Sequence, residues 1–230
     1  MKREEKELLY DFLETARCYL SDGAAARRAP PEFEDELDGP ALAARMLSCF
    51  RCELSKNRAN VVPGAGSASP LVMVIGEGPG ADEDASGLPF VGKAGQLLDR
   101  MLGSIGVSRE TNAFIANIVK CRPPHNRDPE PGEIECCLPW LEAQIALLSP
   151  VAILALGRVA SHTLLGVSTP MGSLHGTFYE YRGIPLMPTY HPSAVLRDES
   201  LKRPAWEDLK AFRDRLAALS PAYRAAIEGK

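Results

Sequence analysis

The sequence predicts a three-layer α/β/α protein with a central, mainly parallel, four-stranded sheet. Two observations carry that expectation. Four short apolar runs of strand length are separated by stretches with apolar residues at helical spacing. The runs are apolar throughout rather than alternating, as parallel strands covered on both faces should be.

The first run, Leu71 to Ile75, passes directly into Gly76-Glu77-Gly78-Pro79-Gly80, and a helical stretch follows at about 93–104. Ala113 to Val119 is the second run, with a helical pattern over 133–148 behind it. Val151 to Leu156, closed by Gly157, is the third, followed by a helix over 158–165. Ile184 to Met187, before Pro188, is the fourth, and a last helix is expected over 203–219. Such sheets bind ligands at the carboxyl ends of their strands. The loops beginning at Gly76, Lys120, Gly157 and Tyr190 should therefore meet at one edge. Residues 3–21 place Leu8, Leu9, Phe12, Leu13, Tyr19 and Leu20 at helical spacing, and Asp22 to Pro40 is linker-like in composition. The expected organisation is an extension over 1–40, a domain over 41–219 and a tail over 220–230.

The 230 residues suffice for one substantial core. With 26 Lys and Arg against 30 Asp and Glu, the net charge of −4 argues against non-specific wrapping in nucleic acid. It permits a local basic face, and Lys120 to Arg127 holds three basic residues, one histidine and no carboxylate. No apolar run reaches the roughly 18 residues of a membrane helix, so no membrane partner is expected. The charged start Met1 to Lys6 lacks a following apolar region, which makes the cytoplasm the expected location.

Several motifs bear on chemistry. Gly87-Leu-Pro-Phe-Val-Gly92-Lys93 nearly spells a phosphate-binding loop, but Ala94 stands where Ser or Thr must hold Mg²⁺. This excludes a nucleoside triphosphatase of that type and leaves Phe90 as a core residue or a stacking platform for a flat base. The Gly76–Gly80 loop is G-x-G-x-G, not the dinucleotide fingerprint. By itself it is as good a tight turn as a ligand loop. Cys49-Phe50-Arg51-Cys52 is a CxxC, and Cys121 and Cys137 flank candidate loops; these thiolates could hold zinc or an iron–sulfur cluster. Cys136, beside Cys137, points elsewhere on a helix. Asn117 ends the second strand with a donor and an acceptor in one side chain, and Asn126 lies in the basic loop. His191, in Thr189-Tyr190-His191-Pro192-Ser193, stands at the carboxyl edge.

In this order, Gly76-Glu-Gly-Pro-Gly80, Glu83-Asp84, Gly87-x-Pro89-Phe90-Val91-Gly92, Asn117-Ile-Val-Lys-Cys121-Arg-Pro-Pro and Tyr190-His191-Pro192-Ser193 resemble the iron–sulfur (family 4) uracil-DNA glycosylases. The resemblance runs from about Cys49 to Leu216. It implies a uracil-DNA glycosylase-like fold and a monomeric DNA repair enzyme, acting on uracil in single- or double-stranded DNA. It also implies a structural [4Fe–4S] cluster on Cys49, Cys52, Cys121 and Cys137. Gly76, Glu77 and Gly78 would line the uracil pocket, Phe90 would stack on the base, Asn117 would read its polar edge and His191 would sit beside O2. Lys120, Arg122 and Arg127, with Pro192, Ser193, Leu196 and Arg197, would contact DNA. Other branches carry Asp where this chain has Gly78, so either Glu77, Glu83 or Asn126 positions the attacking water or no strong base is used, with Glu77 and Glu83 the expected contributors. Gly80 replaces a tyrosine that blocks the thymine methyl group elsewhere, and His175 stands where Arg is common. A rival reading is a protein that captures uracil-DNA without turnover, as a related branch does through a histidine in an inserted basic loop. Here that loop is short and His125 is its one histidine.

Overall fold

The computed structural model describes residues 38–229. The helix expected over 3–21 and nearly all of the linker-like stretch lie outside the described residues.

Six strands form one sheet: β1 (Ala65–Gly66), β2 (Val72–Gly76), β3 (Ala113–Asn117), β4 (Ala152–Leu156), β5 (Tyr179–Tyr181) and β6 (Ile184–Thr189), in the order β1-β3-β2-β4-β6-β5. The four inner strands are mutually parallel and are the four apolar runs. The expected four-stranded sheet is thus extended by two short antiparallel edge strands. Neither carries an apolar signal of strand length. Two residues suffice for β1, and Gly66, at φ +144°, lies where any side chain would strike the Ala113–Phe114 backbone. β5 joins β6 through Arg182-Gly183, both at positive φ (52° and 82°), the geometry of a tight two-residue hairpin.

Period-two alternation along the inner strands divides the core. Met73, Ile75, Ala116, Ile118, Ile153 and Ala155 face one helical layer: α1 (Gly39–Leu47), α4 (Pro131–Leu148) and α5 (Gly157–Leu165). Val72, Val74, Ile115 and Leu154 face the other, formed by α3 (Lys93–Gly103), α8 (Lys202–Leu219) and α9 (Pro221–Glu228). Shorter helices complete the chain: α2 (Ala81–Ser86), α6 (Met171–Leu174) and α7 (Pro192–Arg197). The expected tail over 220–230 is a correction. Ser220 caps α9, whose Tyr223 is buried with its hydroxyl donating to the Ile105 carbonyl. Among the described residues no helix is long and apolar enough to cross a membrane.

Parallel register aligns the strand ends. Gly76 sits opposite Asn117, and Leu156 opposite Thr189. The turns after all four inner strands therefore open on the same edge.

Candidate active site at the carboxyl edge

Gly76, Asn117 and Phe90 meet where β2 and β3 end. A Cβ added to Gly76 would stand 2.5 Å from Asn117 Oδ1 and 2.6 Å from Phe90 Cζ. Only glycine leaves this floor open. Asn117 is almost fully buried, yet its Oδ1 has no hydrogen-bond partner. A buried amide oxygen left unpaired costs about 1–3 kcal/mol, so a partner from outside the protein is the natural account of it.

The Phe90 ring is held by strain and struts. Its φ of +53° lies in the left-handed region, which a bulky residue adopts only when its surroundings force it. Three features enforce it. Arg109 donates to the Pro89 carbonyl (2.8 Å) and the Phe90 carbonyl (3.0 Å) while paired with Asp99 at 2.7 Å. Gly95 leaves room for the Phe90 carbonyl, which any side chain there would strike. Glu83 accepts from the backbone N–H of Val91 (2.9 Å) and Gly92 (3.0 Å) through one oxygen, and from Gly80 (3.0 Å) through the other. Glu83 therefore ties the Gly76–Gly80 loop to the Phe90 loop and has both oxygens engaged. These bonds make it a strut between the two loops.

His191 caps α7. The Ser193 backbone N–H donates to Nδ1 at 3.1 Å, and the Ser193 hydroxyl lies 2.7 Å from the same nitrogen. A backbone N–H can only donate, so Nδ1 is the acceptor and the imidazole proton belongs on Nε2. Burial, aided by the Arg197 charge, pulls His191 down to about 4, so the ring is neutral at pH 7. Its ring lies 5.6 Å from that of Phe90, and Gly157, at φ +81°, permits its approach: a Cβ there would stand 2.8 Å from His191 Cβ. Glu77 follows Gly76 and is partly buried. Burial raises its carboxyl above the ordinary range, Asp128 raises it further and Arg158 opposes both.

A second pocket lies behind β3. Cys49, Cys52, Cys121 and Cys137 line one small pocket, together with Arg58, Lys120 and Trp140. These four are free thiols, whereas Cys136 is disulfide-bonded. Arg58 donates to Cys121 Sγ at 3.1 Å, and the Lys120 backbone N–H to Cys137 Sγ at 3.2 Å. Burial pushes Cys52 up to about 11 and also raises Cys121 and Cys137. Among the described residues no group of His, Cys, Asp or Glu side chains is arranged to hold a metal ion.

A family model described as the uracil DNA glycosylase superfamily matches residues 63–210. The chain belongs to that superfamily. Three proteins named type-4 uracil-DNA glycosylase are similar to it. That of Pyrobaculum aerophilum is 44% identical over 184 residues, covering 76% of this chain and 93% of the relative. That of Saccharolobus solfataricus is 41% identical over 193 residues, 80% of this chain and 88% of the relative. That of Sulfurisphaera tokodaii is 41% identical over 181 residues, 74% of this chain and 80% of the relative.

In this superfamily member the basic loop departs most from expectation. Lys120, expected on DNA, is almost fully buried. Its Nζ donates to the Asn117 carbonyl at 2.9 Å and to Gln144 Oε1 at 2.7 Å, and burial brings it down to about 8. Arg127 is held by Glu133 through bonds of 2.7 and 2.8 Å. Burial opposes the Glu133 charge, but the Arg127 and Glu130 N–H bonds outweigh it and hold that carboxyl below the usual range. Asn126 is exposed, and its Oδ1 accepts from Arg122 Nε at 2.8 Å. The structure thus ties Asn126 to Arg122 rather than to Asn117 or His191. Of the other expected DNA contacts, Pro192 is buried at the start of α7 and Ser193 serves His191, whereas Leu196 and Arg197 are exposed.

His175 Nδ1 donates at 2.9 Å to buried Asp208, which also accepts from Thr189 Oγ1 at 2.7 Å, and the His175 ring lies 4.6 Å from that of Tyr190. It braces the segment leading to His191. Arg109 and Asp208 escaped the sequence reading because each lies far along the chain from the loop it supports, with no local pattern to link them.

Proposed function

We propose that this chain is a uracil-DNA glycosylase that flips uracil out of DNA and hydrolyses its N-glycosidic bond, leaving free uracil and an abasic site. The observation that carries this reading is the unpaired, buried Asn117 Oδ1, which meets the Phe90 ring over Gly76.

Extruding a base from the duplex costs a few kcal/mol, less where it is mispaired. Stacking on Phe90 offsets part of this. Asn117 offers its oxygen to the ring N3–H and its amide hydrogens to O4. A flat ring so held places O2 toward His191. As the bond between sugar C1′ and uracil N1 breaks, its electron pair moves into the base and negative charge grows on O2. The neutral His191 donates from Nε2 to that oxygen. A preplaced donor of this kind contributes roughly 10²–10³ in rate. Water adds to C1′, oriented by the Glu77 carboxylate, and the proton it releases balances the departing anion. Glu83 and Arg109 act only by holding the loops in register. Leu196, exposed on α7 beside His191, suits the place in the stack that the base vacates.

The four-cysteine pocket suits a [4Fe–4S] cluster held by Cys49, Cys52, Cys121 and Cys137. Four separated thiols around one pocket, with Arg58 and the Lys120 backbone N–H donating to sulfur, match the demands of a polynuclear anionic group better than those of one ion. Bound there, the cluster would tie the segment after α1, the loop after β3 and α4 together and supply no step of the reaction.

The test is free uracil released from matched single-stranded, U·G and U·A DNA, with hypoxanthine as control. The reading expects release from at least one uracil substrate. A DNA adduct surviving denaturation, without free uracil, would overturn it in favour of capture.

A further inference from the structure

Helix α2 has six residues, too few to hold its place alone. Two neighbouring side chains anchor it in opposite directions. Glu83 reaches forward to the Val91 and Gly92 N–H groups, directly after Phe90. Asp84 reaches back. It is buried, and its Oδ1 accepts from the backbone N–H groups of Ala59 (2.9 Å) and Asn60 (3.3 Å). The Asn60 side-chain amide donates in return to the carbonyls of Asp84 (2.8 Å) and Ala85 (3.1 Å). Residues 59 and 60 are thus clamped to α2 by bonds running both ways. Those made to a carboxylate are of the stronger kind.

The clamped segment starts in the cysteine pocket. Cys52 opens a 3-10 turn over Glu53–Lys56. Just beyond it, Arg58 donates to Cys121 Sγ at 3.1 Å, with its guanidinium 5.1 Å from the centre of the Phe50 ring. A continuous path of contacts therefore runs from Cys121 through Arg58, Asp84 and Glu83 to the Phe90 loop. Neither Asp84 nor Asn60 has a place in the mechanism above.

We propose that Asp84 is a positioning residue that holds the Phe90 ring in place for the base and joins the cysteine pocket to the uracil pocket as one mechanical unit. The inference rests on the place given to uracil on Phe90 above. Phe90 is kept at positive φ by its surroundings, so its loop relaxes when an anchor is lost. Without the Asp84 bonds α2 is free to shift, and Glu83 carries its N–H partners with it. The acceptor oxygen is what the clamp requires. Asp84→Asn retains one and Asp84→Ala does not.

The experiment compares the wild type with Asp84→Ala, Asp84→Asn, Asn60→Ala, Arg58→Gln and the double variant of Arg58→Gln with Asp84→Ala. The first readout is hydrogen exchange by NMR in the DNA-free protein, at the Val91 and Gly92 amides. The Ile118 and Val119 amides, which donate to the Gly76 and Glu77 carbonyls, serve as the reference. The second readout is single-turnover uracil release as a function of DNA concentration. Asp84→Ala should speed exchange at Val91 and Gly92 by about tenfold and leave the reference amides unchanged. It should lower the rate at saturating DNA by about tenfold, through misplacement of the ring, with the half-saturating concentration unchanged. Asp84→Asn should restore both readouts towards wild type. Asn60→Ala, which leaves Asp84 in place, should act in the same direction but less. Arg58→Gln should speed exchange at Val91 and Gly92 by itself and add nothing in the double variant.

Equal acceleration at all four amides, or none at Val91 and Gly92 in folded Asp84→Ala or Asn60→Ala, would overturn the proposal. So would an Asp84→Asn protein as impaired as Asp84→Ala, or additive effects in the double variant. Faster exchange with an unchanged rate at saturating DNA would overturn the positioning role. If the wild type releases no uracil, the proposed function itself fails, and the exchange data alone decide whether Asp84 joins the two pockets.

Discussion

The segment from Gly76 to Gly92 and the segment from Lys120 to Arg127 leave neighbouring strands at the same edge, yet they work in opposite ways. In the first, backbone carries the function. Gly76 clears the floor, Phe90 is forced to positive φ, and the charged Glu83 turns inward to satisfy three N–H groups. In the second, a run of basic side chains looks like a DNA-binding surface in the sequence. Lys120 is instead buried behind Asn117, and Arg127 anchors the start of α4 through Glu133. Charge along a sequence is thus no measure of charge presented to a ligand. The buried lysine also places one residue between the two pockets, its N–H on Cys137 and its Nζ on the Asn117 carbonyl.

The comparison breaks most readily at its tightest point. Gly76→Ala should lower single-turnover uracil release by about 10² or more, since its methyl must displace Asn117 or Phe90, each a contributor on the scale of a preplaced group. A rate within a few-fold of wild type would mean that the floor is not where the base sits. Lys120→Met should come next. It strands the Asn117 carbonyl and the Gln144 oxygen in a dry site, costing about 1–3 kcal/mol by denaturant unfolding. Excision should fall roughly tenfold through looser placement of Asn117, by the same scale. Unchanged activity would confine Lys120 to packing.

Arg127→Gln sharpens the other half of the comparison. Its loss should lower stability by about 1 kcal/mol, because the pair is partly exposed. The salt dependence of DNA binding should stay the same, whereas an arginine on phosphate would reduce that slope by about one. The smallest expected effect belongs to Leu196→Ala. A few-fold loss on duplex substrate, with little change on single-stranded DNA, is expected of a side chain that fills a vacated place in the stack. An equal loss on both would argue against that role.

The sheet was legible because buried parallel strands are apolar throughout, and each inner strand is one such run. The edge strands were not. Ala65-Gly66 is too short to show a period, and β5 depends on the turn at Arg182-Gly183. Helix α9 was missed because Tyr223 is its one deeply buried anchor, and an eight-residue helix with so little apolar face looks like a tail. At the site, residue types were legible where the chemistry requires them: a donor–acceptor amide at Asn117, an imidazole at His191, paired cysteines around Phe50 and Arg51. Direction was not. Whether Glu83 faces substrate or backbone, and whether Lys120 points out or in, depends on contacts with residues tens of positions away, such as Gln144.

The most direct test of the account is Asn117→Ala, compared with wild type in single-turnover uracil release, thermal unfolding and visible absorption. Removing this amide, whose buried oxygen is unpaired, should slow release by about 10²–10³ while leaving unchanged the unfolding temperature and any visible absorption from the proposed cluster. Release near the wild-type rate from a folded Asn117→Ala protein would contradict the claim that this edge is where uracil is read and released.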